Sequence, residues 1–474
     1  MCRNLRPFIL TITLALGLAG LSCEGGLTHA AELSIGFAEQ DVSPKLDGKR
    51  PVYLAGFGQN RKATKINDPI MSRAVVLSDA KTKIALVSVD VVGLFNDVAM
   101  EVRKQLKGYD YICVSSTHNH EGPDTMGLWG SSPFNSGIDP DYMTFLHKEI
   151  ARTIEAADKV RQPATAKIGT IKAPELLTDN RKPYVKADEL VALQFFGKEN
   201  KPIGILVQWN CHPETLDSKN THLSADYVGY TVKELQKTHG CAVAYFTGVV
   251  GGLMTSLDVP VKNAKGELLK DGTFEKTEEY GKLVAQAATK ALKSSQPVEL
   301  TPFEIRTTDI HLPVQNRLYQ LGWRAGVLKR TMYIWEDNPF PKAPQEGKDL
   351  SKPCGIKTEI GYLKLGELEV AIIPGEIYPE LVLGKVEDPV DPGADFPEAP
   401  VEPHVYQHFK AKYRMVIGLG NDEIGYIIPK RQWDAKAPYC YGLKKDQYGE
   451  ENSIGPDAAP LLMKAFADLV NGKK

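Results

Sequence analysis

The chain has 474 residues, of which 42% are hydrophobic, 24% charged and 8% aromatic. That balance belongs to an ordinary soluble globular protein and excludes collagen-like, disordered and multi-span membrane classes. With 57 basic and 59 acidic residues the formal net charge is −2, which leaves no broad electrostatic footprint for nucleic acid and argues against it as a partner.

Arg3 and Arg6 precede an uncharged apolar run, Pro7 to Gly20. The run is shorter than the roughly 20 residues a spanning helix needs, so residues 1–30 are expected to be a signal peptide, cleaved after Ala30 or Ala31. Export to the periplasm or the medium follows, with lipidation at Cys23 as the competing outcome. Beyond that leader remain Cys113, Cys211, Cys241, Cys354 and Cys440. Their odd number prevents complete internal pairing, and the lack of any CxxC argues against a thiolate zinc cluster.

Ser34–Pro44 is expected to enter as a strand. Lys83–Val92 is a nearly unbroken apolar run, the pattern of a strand buried on both faces. A helical pattern ending at Gly108 and a second buried strand ending at Thr117 complete a βαβ unit. The polar string His118–Asp124 lies just past that strand's carboxyl end, where open α/β sheets bind ligands. Asp139-Pro140 opens a helix to about Val160 as N-cap and first helical residue. LVALQFFG and IGILVQWN form a predicted hairpin whose second strand delivers Cys211-His212-Pro213. A helix at about 226–238, a strand Ala242–Thr247 and a helix at about 277–293 follow. YLKLGELEVAIIPGE reads as a hairpin that delivers Glu376. Residues 317–352 show no clean period and are expected to be an irregular insertion, and residues 387–403 an acidic, proline-rich solvated loop. The expected fold is a single α/β domain over residues 31–474, with mixed β-sheets flanked by helices and a zinc site at the carboxyl ends of strands.

His118, His212 and Glu376 thus stand at the ends of three separate predicted strands. Each has an ordinary structural explanation: a polar turn, a turn histidine, or a glutamate capping the helix that follows. Together they supply the imidazole and carboxylate donors of a catalytic zinc with one position left open.

At these residues the sequence resembles the neutral/alkaline non-lysosomal ceramidase family. SSTHNHEGP at Ser115–Pro123 is similar to that family's SSTHTHSGP, with Asn119 and Glu121 as departures. QWNCHPETL, IIPGEIYPEL, GLGNDEIGYIIPKRQW and NRKP at Asn180–Pro183 match its other segments in order, between about Ser34 and Pro460. The resemblance implies one zinc per chain held by His118, His212, Glu376 and Tyr426. It also places His120 beside the metal water, Arg181 on the arginine that faces the substrate carbonyl, and Tyr448 on a substrate-contacting tyrosine, with Tyr439 and Tyr441 as competitors. The activity implied is hydrolysis of the amide of ceramide or a related N-acyl lipid, with contact to a membrane surface compatible with such a substrate. The family's GDVSPN loop is represented by TGVVGGLMTS, Thr247–Ser256, without its Asp or Asn, which touches the substrate more than the metal. Glu121 is a second candidate base. Two other readings stay open: a binuclear metallophosphoesterase, suggested by Asn119–Gly122, and a non-catalytic envelope lipid-binding protein of the same fold. No G-x-S-x-G elbow supports a serine hydrolase.

Overall fold

The computed structural model describes residues 32–347 and 351–473, and the leader expected over residues 1–30 lies outside them. The described residues fall in one compact unit, Ala31–Lys474. Three sheets carry it. The first is ordered β4 (Tyr111–Ser116), β3 (Lys83–Val89), β2 (Met71–Ser78), β1 (Ser34–Asp41), with the short Gln162–Pro163 at its far edge. The second runs β8 (Ala242–Thr247), β7 (Pro202–Trp209), β6 (Glu189–Phe196), β5 (Thr165–Lys172), then Gln296–Val298. The third runs β9 (Phe303–Pro313), β10 (Cys354–Leu365), β11 (Leu368–Ile372), β13 (Tyr413–Ile417). A two-residue ladder joins β12 (Glu376–Ile377) to β14 (Tyr426–Ile427) in parallel.

Each large sheet is mainly antiparallel but ends in one parallel pair: β3 with β4, β7 with β8, and β11 with β13. Parallel neighbours need a crossover, and the first two pairs take theirs through α1 (Asn96–Gln105) and α3 (Asp226–His239). The hairpin of β6 with β7 is antiparallel as its turn residues predict.

One apolar cluster draws on all three sheets, including Val75, Leu86, Phe195, Leu206, Phe246, Leu363 and Val370. Full burial of such side chains contributes roughly 1.5–3 kcal/mol each. Outside it, α1 and α2 (Pro140–Lys159) cover the first sheet, while α3 and α4 (Phe274–Lys293) cover the second. Helix α6 (Ala458–Val470) packs on β9 and β10. The mixed sheets flanked by helices agree with the expected class.

Local chemistry sets the helix starts. Asp139 accepts the Asp141 amide and Pro140 opens α2, as the sequence indicates. Helix α4 begins at Phe274, three residues before its apolar period, because the Thr273 side chain caps the Lys276 amide. The stretch expected to be irregular contains α5 (Arg317–Arg324), capped by the Asn316 side chain, and a short strand, Tyr333–Ile334, on β10. Its period is obscured because Leu318 and Leu321 face outward, 66% and 54% exposed. The five cysteines are free thiols; Cys113 is buried in the shared core and Cys241 is half-buried.

Candidate metal centre

The carboxyl ends of the three parallel pairs meet at one place. His118 follows β4, His212 follows β7, and Glu376 opens β12 after β11. Tyr426 sits directly opposite Glu376 in the β12–β14 ladder. The junction is stitched by backbone and side chain alike. Asn421 takes the Val114 amide on Oδ1 at 2.8 Å, and Ser115 Oγ donates to the Gly418 carbonyl at 3.0 Å. Thr247 Oγ1 donates to the Thr117 carbonyl at 2.7 Å.

His118 has φ +65, a region uncommon for residues other than glycine and frequent at functional sites. Its Nδ1–H donates to the Val92 carbonyl at 2.7 Å, and that of His212 donates to the Met254 carbonyl at 2.8 Å. Both bonds leave Nε2 as the bare lone pair, the arrangement by which outer groups orient metal-binding imidazoles. Those lone pairs converge on Glu376 Oε2, at 3.2 Å from His118 and 3.0 Å from His212, while Tyr426 Oη lies 3.2 Å from His212 Nε2. Three acceptor atoms packed this closely repel one another unless a cation or a proton lies among them. Burial alone would raise the Glu376 carboxyl, but a proton carried by either imidazole toward it outweighs burial and holds the group well below the usual carboxylate range. Burial raises the Tyr426 phenol instead.

His120 completes a buried triad whose ligand atoms with His118 and His212 lie within 4.8 Å of one another, so this group could hold a metal. Its ring meets that of His118 edge-on at 4.9 Å. Gly56, at φ +90, makes room for it: a Cβ there would lie 2.3 Å from the imidazole. Among the described residues neither His120 nitrogen has a hydrogen-bond partner, and Nδ1 stands 3.5 Å from Glu214 Oε2. Burial, then the neighbouring imidazoles, push its pKa well below the ordinary histidine value.

The site opens into a cavity of about 390 Å³ whose lining includes Phe57, His120, Trp129, Tyr319, Glu376 and Tyr448. Tyr448 is 43% exposed there and packs edge-on against Tyr426 at 5.8 Å. Tyr441 is turned away to donate to Glu387 at 2.8 Å, and neither it nor Tyr439 lines the cavity.

Two expectations meet a different geometry. Arg181 does not line the cavity: its guanidinium grips both oxygens of Glu450 at 2.6 and 2.8 Å and donates to the Tyr448 carbonyl at 2.9 Å. Its reach is to Tyr448. Glu121, the second candidate base, is buried against Arg61 at 3.3 Å and takes the Asn220 amide at 2.7 Å. Arg61 in turn donates to the His120 carbonyl, so Glu121 holds the backbone beneath His120 and cannot reach a substrate. Asp90, at the end of the buried run Lys83–Val92, is taken by Arg73 at 2.7 and 2.8 Å. Sequence reasoning assigned no part to Glu214 and Glu423. They lie two residues after His212 and three before Tyr426, within QWNCHPETL and GLGNDEIGYIIPKRQW, and that nearness to candidate ligands was the available signal.

Residues 34–258 match the neutral/alkaline non-lysosomal ceramidase N-terminal family model. Over that segment the chain is similar to the family. The fold extends the likeness well past residue 258. A crystal structure of the neutral ceramidase from Pseudomonas aeruginosa superposes with a TM-score of 0.69 at 15% identity, covering 93% of this chain and 74% of that one. A ceramidase complexed with C2 superposes at 0.68 and 16% identity, covering 93% of this chain and 75% of that one. The family match ends before Glu376 and Tyr426, so those two enter the centre through the fold and not through the matched segment.

Proposed function

We propose that this protein is an exported zinc-dependent amidohydrolase that cleaves the amide of ceramide or a related N-acyl lipid. The observation that carries the reading is the convergence of His118 Nε2 and His212 Nε2 on Glu376 Oε2, at 3.2 and 3.0 Å, beside an open cavity lined by His118 and Glu376, in a chain that matches the ceramidase family model. Those three with Tyr426 would hold one zinc. When bound, zinc supplies Lewis-acid polarisation of a carbonyl and acidifies a water to a pKa of roughly 7.

The chain's own residues supply the rest. His120, kept neutral by burial, takes a proton from water as the water oxygen bonds to the amide carbon, and returns it to the nitrogen as the C–N bond breaks. A carboxylic acid and an amine result, and the acid's proton passes to the amine to give carboxylate and ammonium. Tyr448, at the rim, donates to the amide carbonyl, and Arg181 positions it through the Tyr448 backbone. The outward Leu318 and Leu321 on α5, with exposed Arg317 beside them, suit contact with a lipid surface.

Elemental analysis of the purified protein together with hydrolysis of a ceramide panel tests the assignment. Wild type should carry one zinc per chain and release fatty acid. His118→Ala and His212→Ala should each lose metal and at least about 100-fold in activity. Full activity in either variant, or two metals per chain, would overturn it. A protein that binds N-acyl lipid but never cleaves it with zinc supplied would be the lipid-binding alternative.

A further inference from the structure

The acidic, proline-rich stretch 387–403 plays no part in the metal centre. With α6 and the end of β9 it walls a groove of about 800 Å³ that shares no lining residue with the site cavity. That volume falls in the range of roughly 300–1,000 Å³ that takes a single small ligand. Trp335 and Phe396 give it aromatic walls, and Leu461 and Ala467 of α6 add aliphatic surface. Six carboxylates line it against two lysines. Both lysines are already paired, Lys430 with Asp457 at 2.5 Å and Lys464 with Asp468 at 2.7 Å. The other four acids, Asp337, Asp395, Glu398 and Glu402, meet no further lysine or arginine in the groove. Glu402 is the buried one, at 5% exposed. Its Oε1 accepts the Lys430 amide at 2.8 Å, whereas Oε2 has no partner among the described residues. Arg431 also acts on Glu402 through its charge, but it does not line the groove and pairs with Asp388 at 3.3 Å. A desolvated carboxylate oxygen without a donor is costly, and a donor arriving with a ligand removes that cost.

The protein's own side chain shows what the groove attracts: the Lys430 ammonium lies over the Phe396 ring at 5.1 Å. Pro397, Pro400, Pro403 and Pro460 stiffen the walls and leave them poor in backbone donors, because proline carries no N–H. An extended peptide would find few amides there to pair with. We infer that this groove binds a small organic cation, a primary ammonium on an apolar body, with the ammonium drawn to the open carboxylates around Glu402 and the body laid against Trp335 and Phe396. An ammonium is donor-only and so matches a wall of acceptors, and aromatic faces attract it as well. The site lies apart from the metal centre, and the inference does not depend on the amidase reading.

The experiment is calorimetry on the zinc-loaded protein with three probes of one length: octylammonium, 1-octanol and octanoate. Wild type should bind octylammonium at least about tenfold more tightly than octanol, and octanoate more weakly still. Glu402→Gln should lower the octylammonium affinity about tenfold. The double variant Asp337→Asn/Glu398→Gln, whose two side chains are exposed, should lower it by a smaller factor, and added salt should weaken binding to wild type. Octylammonium should also change the indole fluorescence of wild type, and Trp335→Phe should remove that change. Equal affinity for the ammonium and the alcohol, or an affinity unchanged in both carboxylate variants, overturns the inference. A fluorescence change that survives in Trp335→Phe overturns it too, by placing the cation elsewhere, such as beside Trp129 in the site cavity. Binding of a lysine-bearing peptide without binding of octylammonium would overturn it in favour of a protein-docking surface.

Discussion

At His118 and His212 the ring tautomer is set by backbone carbonyls, those of Val92 and Met254, and each leaves its Nε2 toward the centre. His120 differs, since no such bond fixes either nitrogen. A ligand and a proton carrier make opposite demands: the first needs one orientation, the second needs a nitrogen free to exchange. His120→Ala should therefore keep its zinc and lose roughly 10²–10⁴ in kcat. Parallel metal analysis and steady-state kinetics check this; zinc lost together with turnover would make His120 a ligand, and an unchanged rate would remove it from the chemistry.

At the scale of elements, the centre depends on how three sheets are held edge to edge. Asn421 is the fastener. It is 1% exposed; it takes the Val114 amide and donates to Tyr111 Oη and Glu359 Oε1, each at 2.8 Å. Its own amide donates to the Val114 carbonyl at 2.7 Å. Asn421→Ala strands the Val114 amide in a dry interface and takes one donor from Glu359, which keeps Arg103 and Tyr111, a cost of about 1–3 kcal/mol by the usual price of a buried unsatisfied group. Thermal unfolding should show the loss, and zinc affinity should fall with it, because β4 and β14 carry His118 and Tyr426. A variant as stable as wild type would refute the fastening role.

Across the whole molecule, buried acids make stability depend on pH. Burial pushes the Glu380 carboxyl up to about 7, aided by Asp179 and opposed by the Gln432 amide and Arg181. The folded state thus holds a proton that the unfolded chain gives up near the ordinary carboxyl value. Its contribution is fully present below that value and is lost as pH rises through about 7. Glu380→Gln should gain stability over wild type on going from pH 5 to pH 8, by on the order of 3 kcal/mol. Melting temperatures of the two proteins across that range check it; parallel curves would show that Glu380 does not titrate there.

What could be read without coordinates follows from locality. The apolar run at Lys83–Val89, the Asp139-Pro140 helix start and the hairpin of Glu189–Phe196 with Pro202–Trp209 are settled by side chains a few residues apart. His118, His212 and Glu376 could be proposed because each directly follows a buried strand. Elsewhere local signals were weak or misleading. The outward leucines of Arg317–Arg324 hid a helix, and Glu121 looked catalytic because nothing nearby in sequence announces Arg61. The resemblance alone gave Arg181 its place facing the substrate, and no local pattern announces its pairing with Glu450, 269 residues later. By itself the sequence determined the α/β class, the family resemblance and the candidate donor set, since short-range periodicity and residue chemistry encode these. Only the tertiary structure decided that three parallel strand pairs from separate sheets end at one point, and which carboxylates there are left open. Pairing across hundreds of residues depends on how sheets share a core, and no local pattern records it.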